Sequence, residues 1–122
     1  DTDVLVPPRA TRRVQSDVEK GQIVYEVHID GGKTKFKTID LTYGSSNSQK
    51  YTIIEGDPLS ACIEYQSDFS FLRDDWDVMT QSQLIVTCDE SNFILKGQIR
   101  GFENNQQVLN RNWDVKIPRL VF

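Results

Sequence analysis

Histidine is almost missing from this sequence: there is one, His28, in 122 residues, beside two cysteines, one methionine and four prolines. A single histidine leaves little material for nucleophilic catalysis, which needs a base within hydrogen-bond reach of a nucleophile and a third group to orient it. The cysteines, Cys62 and Cys88, form no CxxC and have no histidine beside them, so the spacing of a zinc site is lacking. No glycine-rich loop leads into a helix, which removes the usual phosphate cradle. No apolar run approaches the roughly 20 residues that span a bilayer as a helix, and no basic stretch followed by an apolar segment reads as a signal peptide. Fourteen Lys and Arg stand against eighteen Asp and Glu, and the basic residues are scattered, which argues against a nucleic-acid partner. The expectation is therefore no cofactor, no metal, no nucleic acid and no membrane. The chain opens on Asp1, as expected if a targeting segment or a whole preceding domain has been removed.

Helical periodicity is absent too, and period-two alternation takes its place from Ile23 onward. Ile23, Tyr25, Val27 and Ile29 alternate with more polar neighbours, as in a half-buried strand. Asp30, Gly31 and Gly32 read as a turn, followed by a strand over 33–42, a polar loop over 44–48 and a short strand over 51–54. The clearest signal is the run 61–71, a polar turn at 72–75 and a second run over 76–88. Sharing of one apolar face sets Phe71 opposite Trp76 and Ile63 opposite Leu84. The same reasoning sets Cys88 opposite Phe93, Val86 opposite Leu95 and, past a turn near Asn104 and Asn105, Ile99 opposite Leu109. The expected fold is all-β: an antiparallel meander of about seven or eight strands, forming a curled sheet or a β-sandwich. Residues 1–10, with Pro7 and Pro8, read as a linker or edge extension, and 11–122 as a single β domain. A domain of this length is expected to bury one core without staples.

Each chemical candidate has a plain structural reading. His28 lies on the polar side of a regular strand, where a solvated role is expected. Gly44, Ser45, Ser46, Asn47 and Ser48 lack the second glycine and following helix of a nucleophile elbow and read as a turn. Asp74, Asp75 and Asp77 lack the spacing and glycine of a calcium loop and read as a solvated hairpin turn. Glu64 and Asp68 share a face, so paired carboxylates for glycoside chemistry are open, with strand surface the default. Tyr65, Phe69, Phe71, Trp76, Phe93 and Trp113 fall on one face, as an ordinary core would, and whatever the chain leaves uncovered would mark a docking surface. Cys62 and Cys88 point to opposite faces, so two free thiols are expected, which favours a reducing cytoplasm. No catalytic, cofactor-binding or metal residue is assigned.

The C-terminal half nevertheless carries a pattern. Tyr51, Thr52, Ile53 and Ile54 run into Glu55, Gly56, Asp57, Pro58, Leu59, Ser60 and Ala61, followed by Asp75 and Trp76, then Thr87, Cys88 and Asp89. The stretch Arg111, Asn112, Trp113, Asp114, Val115, Lys116, Ile117, Pro118, Arg119 closes the pattern, and weaker likeness reaches back through Arg12, Arg13, Val14 and Asp17. Together these resemble the extreme C-terminal region of the CocE/NonD hydrolases, the cocaine esterase and X-prolyl dipeptidyl aminopeptidase-like group. The resemblance implies a parent serine hydrolase, a peptidase or acylesterase. Its α/β-hydrolase domain would bear Ser, Asp and His, none of which matches a position here. The chain would then be a non-catalytic accessory domain packed on the catalytic domain of the same polypeptide, with homo-oligomers also possible. A free-standing carbohydrate- or lipid-binding β module is the alternative.

Overall fold

The computed structural model describes residues 1–120. They form eight antiparallel strands: β1 (Thr2–Val6), β2 (Arg9–Asp17), β3 (Gln22–Phe36), β4 (Leu41–Ile54), β5 (Asp57–Arg73), β6 (Trp76–Cys88), β7 (Asn92–Glu103) and β8 (Gln106–Pro118). All belong to one open sheet in the order β1-β3-β4-β5-β6-β7-β8, with β2 also on β3. β1 and β2 share one edge: β2 lines β3 from Gln22 to Asp30, and β1 lines it from Lys33 to Phe36. The early strands therefore extend the meander instead of packing on it as a second layer.

Two expected interruptions are continuous strand. Asp30 to Gly32 does not turn the chain but forms a bulge in β3, where Asp30 pairs with Ser46 and Gly32 with Ser45. Glycine in a strand often marks such a bulge, and Gly32 has the left-handed φ of 73° that a side chain would resist. The Asp30 carboxylate caps the bulge by accepting from Gly32 N–H at 2.9 Å. Residues 44–48, expected as a loop, are the middle of β4. Polar composition misleads there because β3 and β5 pair with both sides of the segment and supply its backbone partners.

Register follows the apolar face, with a correction at two hairpins. Cys88 pairs with Phe93, Val86 with Leu95 and Leu84 with Gly97, as expected. Phe71, however, pairs with Val78 and Ile63 with Val86, because the β5–β6 turn is only Asp74 and Asp75, with Arg73 facing Trp76. Asp74 takes φ 54°, which lets so short a turn close. Ile99 pairs with Arg111, since an extra residue beside Gly101 and Phe102 shifts β8. Both corrections move partners by two positions, so every side chain keeps its face.

A buried core is the expectation that fails. Among the described residues no apolar side chain is buried, and the only buried non-glycine residue is Ser67, 5% exposed. The accessible surface is 8929 Å², whereas a folded monomer of 14.0 kDa exposes about 6,700 Å². The surplus, about 2,200 Å², is what a single-layer sheet leaves uncovered.

Candidate functional site

Pairing register sorts the side chains onto two faces of opposite chemistry. On the first, Val14, Tyr25, Tyr51, Ile63, Val86, Leu95 and Val115 form one unbroken apolar row across seven strands. Tyr25 and Tyr51 approach with ring centroids 6.0 Å apart, and near the far end of β4 Tyr43 lies 5.2 Å from Phe71 and 6.3 Å from Phe69. A polar band interrupts this face where Asn47, Ser67 and Ser82 lie side by side. Asn47 Oδ1 there is shielded from solvent and accepts no hydrogen bond.

The six aromatics singled out from the sequence do share the apolar face, but it is not a core. Trp76 is 48% exposed, Trp113 47%, Phe93 43% and Phe69 38%. The physical reason is that among the described residues nothing lies over them: of the two arrangements open from the sequence, curled sheet and sandwich, the early strands take the one that extends the same sheet and leaves this face uncovered. Trp113 crosses Gly97, so close that a Cβ there would meet its indole at 2.6 Å.

The opposite face is laid out in polar rows. One runs Thr11, His28, Ser48, Gln66, Gln83, Gln98 and Asn112, and the next runs Arg13, Glu26, Lys50, Glu64, Ile85, Lys96 and Asp114. In the first row four consecutive strands, β5 to β8, each present an amide. In the second, opposite charges alternate between neighbouring strands, as in Lys50 to Glu64 at 4.0 Å. Sequence reasoning missed the row, because it exists only once all registers are combined.

The chemical candidates do not converge. Ser48 lies opposite His28, yet no hydrogen bond joins them, and among the described residues no carboxylate holds the ring. With no helix after it, the segment 44–48 lacks the architecture of a nucleophile elbow. Glu64 and Asp68 are separated by Gln66 along β5, about 13 Å at strand spacing, beyond the roughly 5–9.5 Å of glycosidase pairs. Asp74 and Asp75 form the β5–β6 turn and Asp77 is the second residue of β6. Among the described residues no group of three or more His, Cys, Asp or Glu is placed to hold a metal.

Both cysteines are free, Cys62 on the polar face beside Thr52 and Cys88 on the apolar face beside Phe93. Partial burial pushes the Cys62 thiol above its usual range, and the neighbouring Glu64 carboxylate adds to this while Lys50 opposes it. Asp89 is held below the usual carboxylate range because the Ser91 and Asn92 amides donate to its Oδ1 at 2.8 and 2.6 Å. Arg119 closes the same turn by donating to the Asp89 carbonyl at 2.9 Å while its guanidinium lies 5.3 Å from the Phe93 ring centre.

A cavity of about 430 Å³ opens mainly on the polar face between the bulge of β3 and the far ends of β6 and β7. Asp30, Lys33, Ser46, Asp68 and Phe102 contribute to its wall, and Asp68 Oδ1 has no hydrogen-bond partner. Trp76 and Trp113 lie on the other face and take no part in it. Comparison with protein-family models, characterised proteins and solved structures returned no match.

Proposed function

We propose that this chain is a non-catalytic C-terminal β domain of a larger serine hydrolase, a CocE/NonD-like peptidase or acylesterase. Its apolar face packs on the catalytic α/β-hydrolase domain of the same polypeptide, stabilising it or shaping substrate access. The observation that carries the reading is the uncovered face: an apolar row crosses the whole sheet, and the surface surplus of about 2,200 Å² is of the size that obligate interfaces bury. The ordered motifs from Tyr51 to Ala61 and from Arg111 to Arg119 supply the kind of partner. The Arg119 contacts with the Asp89 turn give the Ile-Pro-Arg motif a local structural use.

Exposure of Trp76 and Trp113 favours a second reading, the free-standing carbohydrate- or lipid-binding module. The two tryptophans do not flank a common cleft, and the cavity lies on the face they avoid, so the docking reading is preferred.

The test is the reading frame upstream of Asp1 together with activity-based labelling. A frame encoding a Gly-x-Ser-x-Gly elbow with Asp and His after it, and a full-length product labelled by a fluorophosphonate outside residues 1–122, is the expected result. A start codon or signal peptide immediately before Asp1, or labelling of a serine within this chain, would overturn the proposal.

A further inference from the structure

We propose that β8 is a self-complementary edge on which a second copy of this chain adds antiparallel, centred on Asn112, to make one sheet continuous across a two-fold axis. The inference does not depend on what covers the apolar face. β8 is the last strand in the sheet order, is exposed at all 13 residues, and carries no proline before Pro118. Its outer backbone groups are therefore an unpaired template of the kind that proteins usually blunt or use.

Side-chain chemistry selects both the occupant and the register. A two-fold axis perpendicular to the sheet pairs residues symmetrically about one position and keeps apolar and polar faces aligned, whereas an axis between residues would swap them. An axis on Arg111 sets guanidinium against guanidinium, and one on Asp114 sets carboxylate against carboxylate. An axis on Trp113 leaves Arg111 facing Val115. Centred on Asn112, Arg111 stands opposite the second copy's Trp113 without a like charge facing it, Leu109 meets Val115, and Asn110 meets Asp114.

The polar face supplies an independent reason. The amide row of Gln66, Gln83 and Gln98 ends at Asn112, on the open edge. Asn112 donates along its own strand to Asn110 Oδ1 at 3.2 Å, which also accepts from Gln98 at 3.4 Å, and Asn112 Oδ1 is left to accept. Two Asn112 side chains facing each other on the axis continue the row into the second copy. The other edge is a poor alternative. It is broken between β1 and β2 at Pro7 and Pro8, its β2 segment carries Arg9, Arg12 and Arg13, and joining it to β8 would build an open filament instead of a closed pair.

The experiment places single cysteines in the full chain with Cys62→Ser and Cys88→Ser, and oxidises with diamide, which takes the two electrons and two protons of each thiol pair. Directly opposed residues in antiparallel strands have Cα atoms about 4.5–5.5 Å apart, within disulfide range. Asn112→Cys is expected to form covalent dimer at least ten-fold faster than Asn110→Cys or Thr11→Cys. In a separate arm without oxidant, Asn112→Lys is expected to weaken dimerisation at least ten-fold by sedimentation, with an unchanged circular dichroism spectrum. Equal cross-linking at Asn112, Asn110 and Thr11, faster cross-linking at Trp113→Cys, or a chain that stays monomeric at 100 μM would overturn it.

Discussion

Three residues show how single positions hold so thin a fold. Gly32 combines a left-handed φ with a tight contact, since a Cβ there would strike the Val6 carbonyl, so it joins β1 to the sheet as well as forming the bulge. Left-handed backbone costs an ordinary residue roughly 1–2 kcal/mol before the clash is counted. Gly32→Ala is expected to lose at least that in urea unfolding and to raise hydrogen exchange in Thr2–Val6 before the rest of the sheet. Gly97→Ala pushes on the Trp113 indole, and a destabilisation of about 1–3 kcal/mol with a shift in tryptophan emission is expected. Asp89 gives a pH signature. Its folded pKa is lowered by the two turn amides, so its contribution is present above the ordinary carboxylate range and is lost as pH falls through the lowered value. Titration of Tm between pH 6 and 2 should show an acid loss that is smaller in Asp89→Ala, whose stability at pH 6 starts lower.

At the scale of elements, the hairpins decide the register and the side chains decide only the face. Asn104 and Asn105 occupy the β7–β8 turn with φ of 49° and 66°, the pair of left-handed residues that a two-residue turn requires. Asn104 also reaches sideways: its Oδ1 accepts from Asp77 N–H at 3.0 Å and its own N–H donates to the Asp77 carbonyl at 2.7 Å. One residue thus pins the last hairpin to the start of β6. Asn104→Ala removes the side-chain bond and the tolerance for left-handed backbone, and should cost about 1–2 kcal/mol, read as a lower urea midpoint with exchange rising at Asp77. In β4, Ser45 to Ser48 are strand because both neighbours pair with them, a case in which tertiary pairing overrides the local preference for a turn.

At the scale of the molecule, the dominant fact is that among the described residues no apolar side chain is buried, because hydrophobic burial is the main favourable term in folding. The sheet buries apolar surface only between neighbouring side chains of one face, so the chain by itself should behave as half of an interface. Acrylamide should quench Trp76 and Trp113 strongly, an apolar dye such as ANS should bind, and both signals should fall when the proposed catalytic domain is supplied. Val86→Lys, in the middle of the apolar row, should reduce dye binding without changing the β spectrum, since its side chain projects from the sheet and takes no part in the ladder. A weakly quenched pair of tryptophans in the isolated, monomeric chain would contradict the exposed face.

What the residues determine unaided is periodicity. Alternation in the runs that became β5 to β8 sets all-β class, antiparallel meander, one apolar face and opposite orientations for Cys62 and Cys88, because period two is a local property of the backbone. The β7–β8 turn was legible too, since Asn-Asn tolerates left-handed backbone wherever it occurs. Tertiary structure decided the rest. Whether Gly31 and Gly32 turn or bulge depends on whether β4 continues beside them, and whether Phe71 faces Trp76 or Val78 depends on how tightly Asp74 closes. β2 escaped notice because Arg12, Arg13 and Gln15 give no apolar alternation, and it is a strand only because β3 offers an edge. The amide row ending at Asn112 and the uncovered apolar face have the same cause: both are sums over many pairings, and alternation within one strand cannot say which strand lies beside it or whether anything lies above.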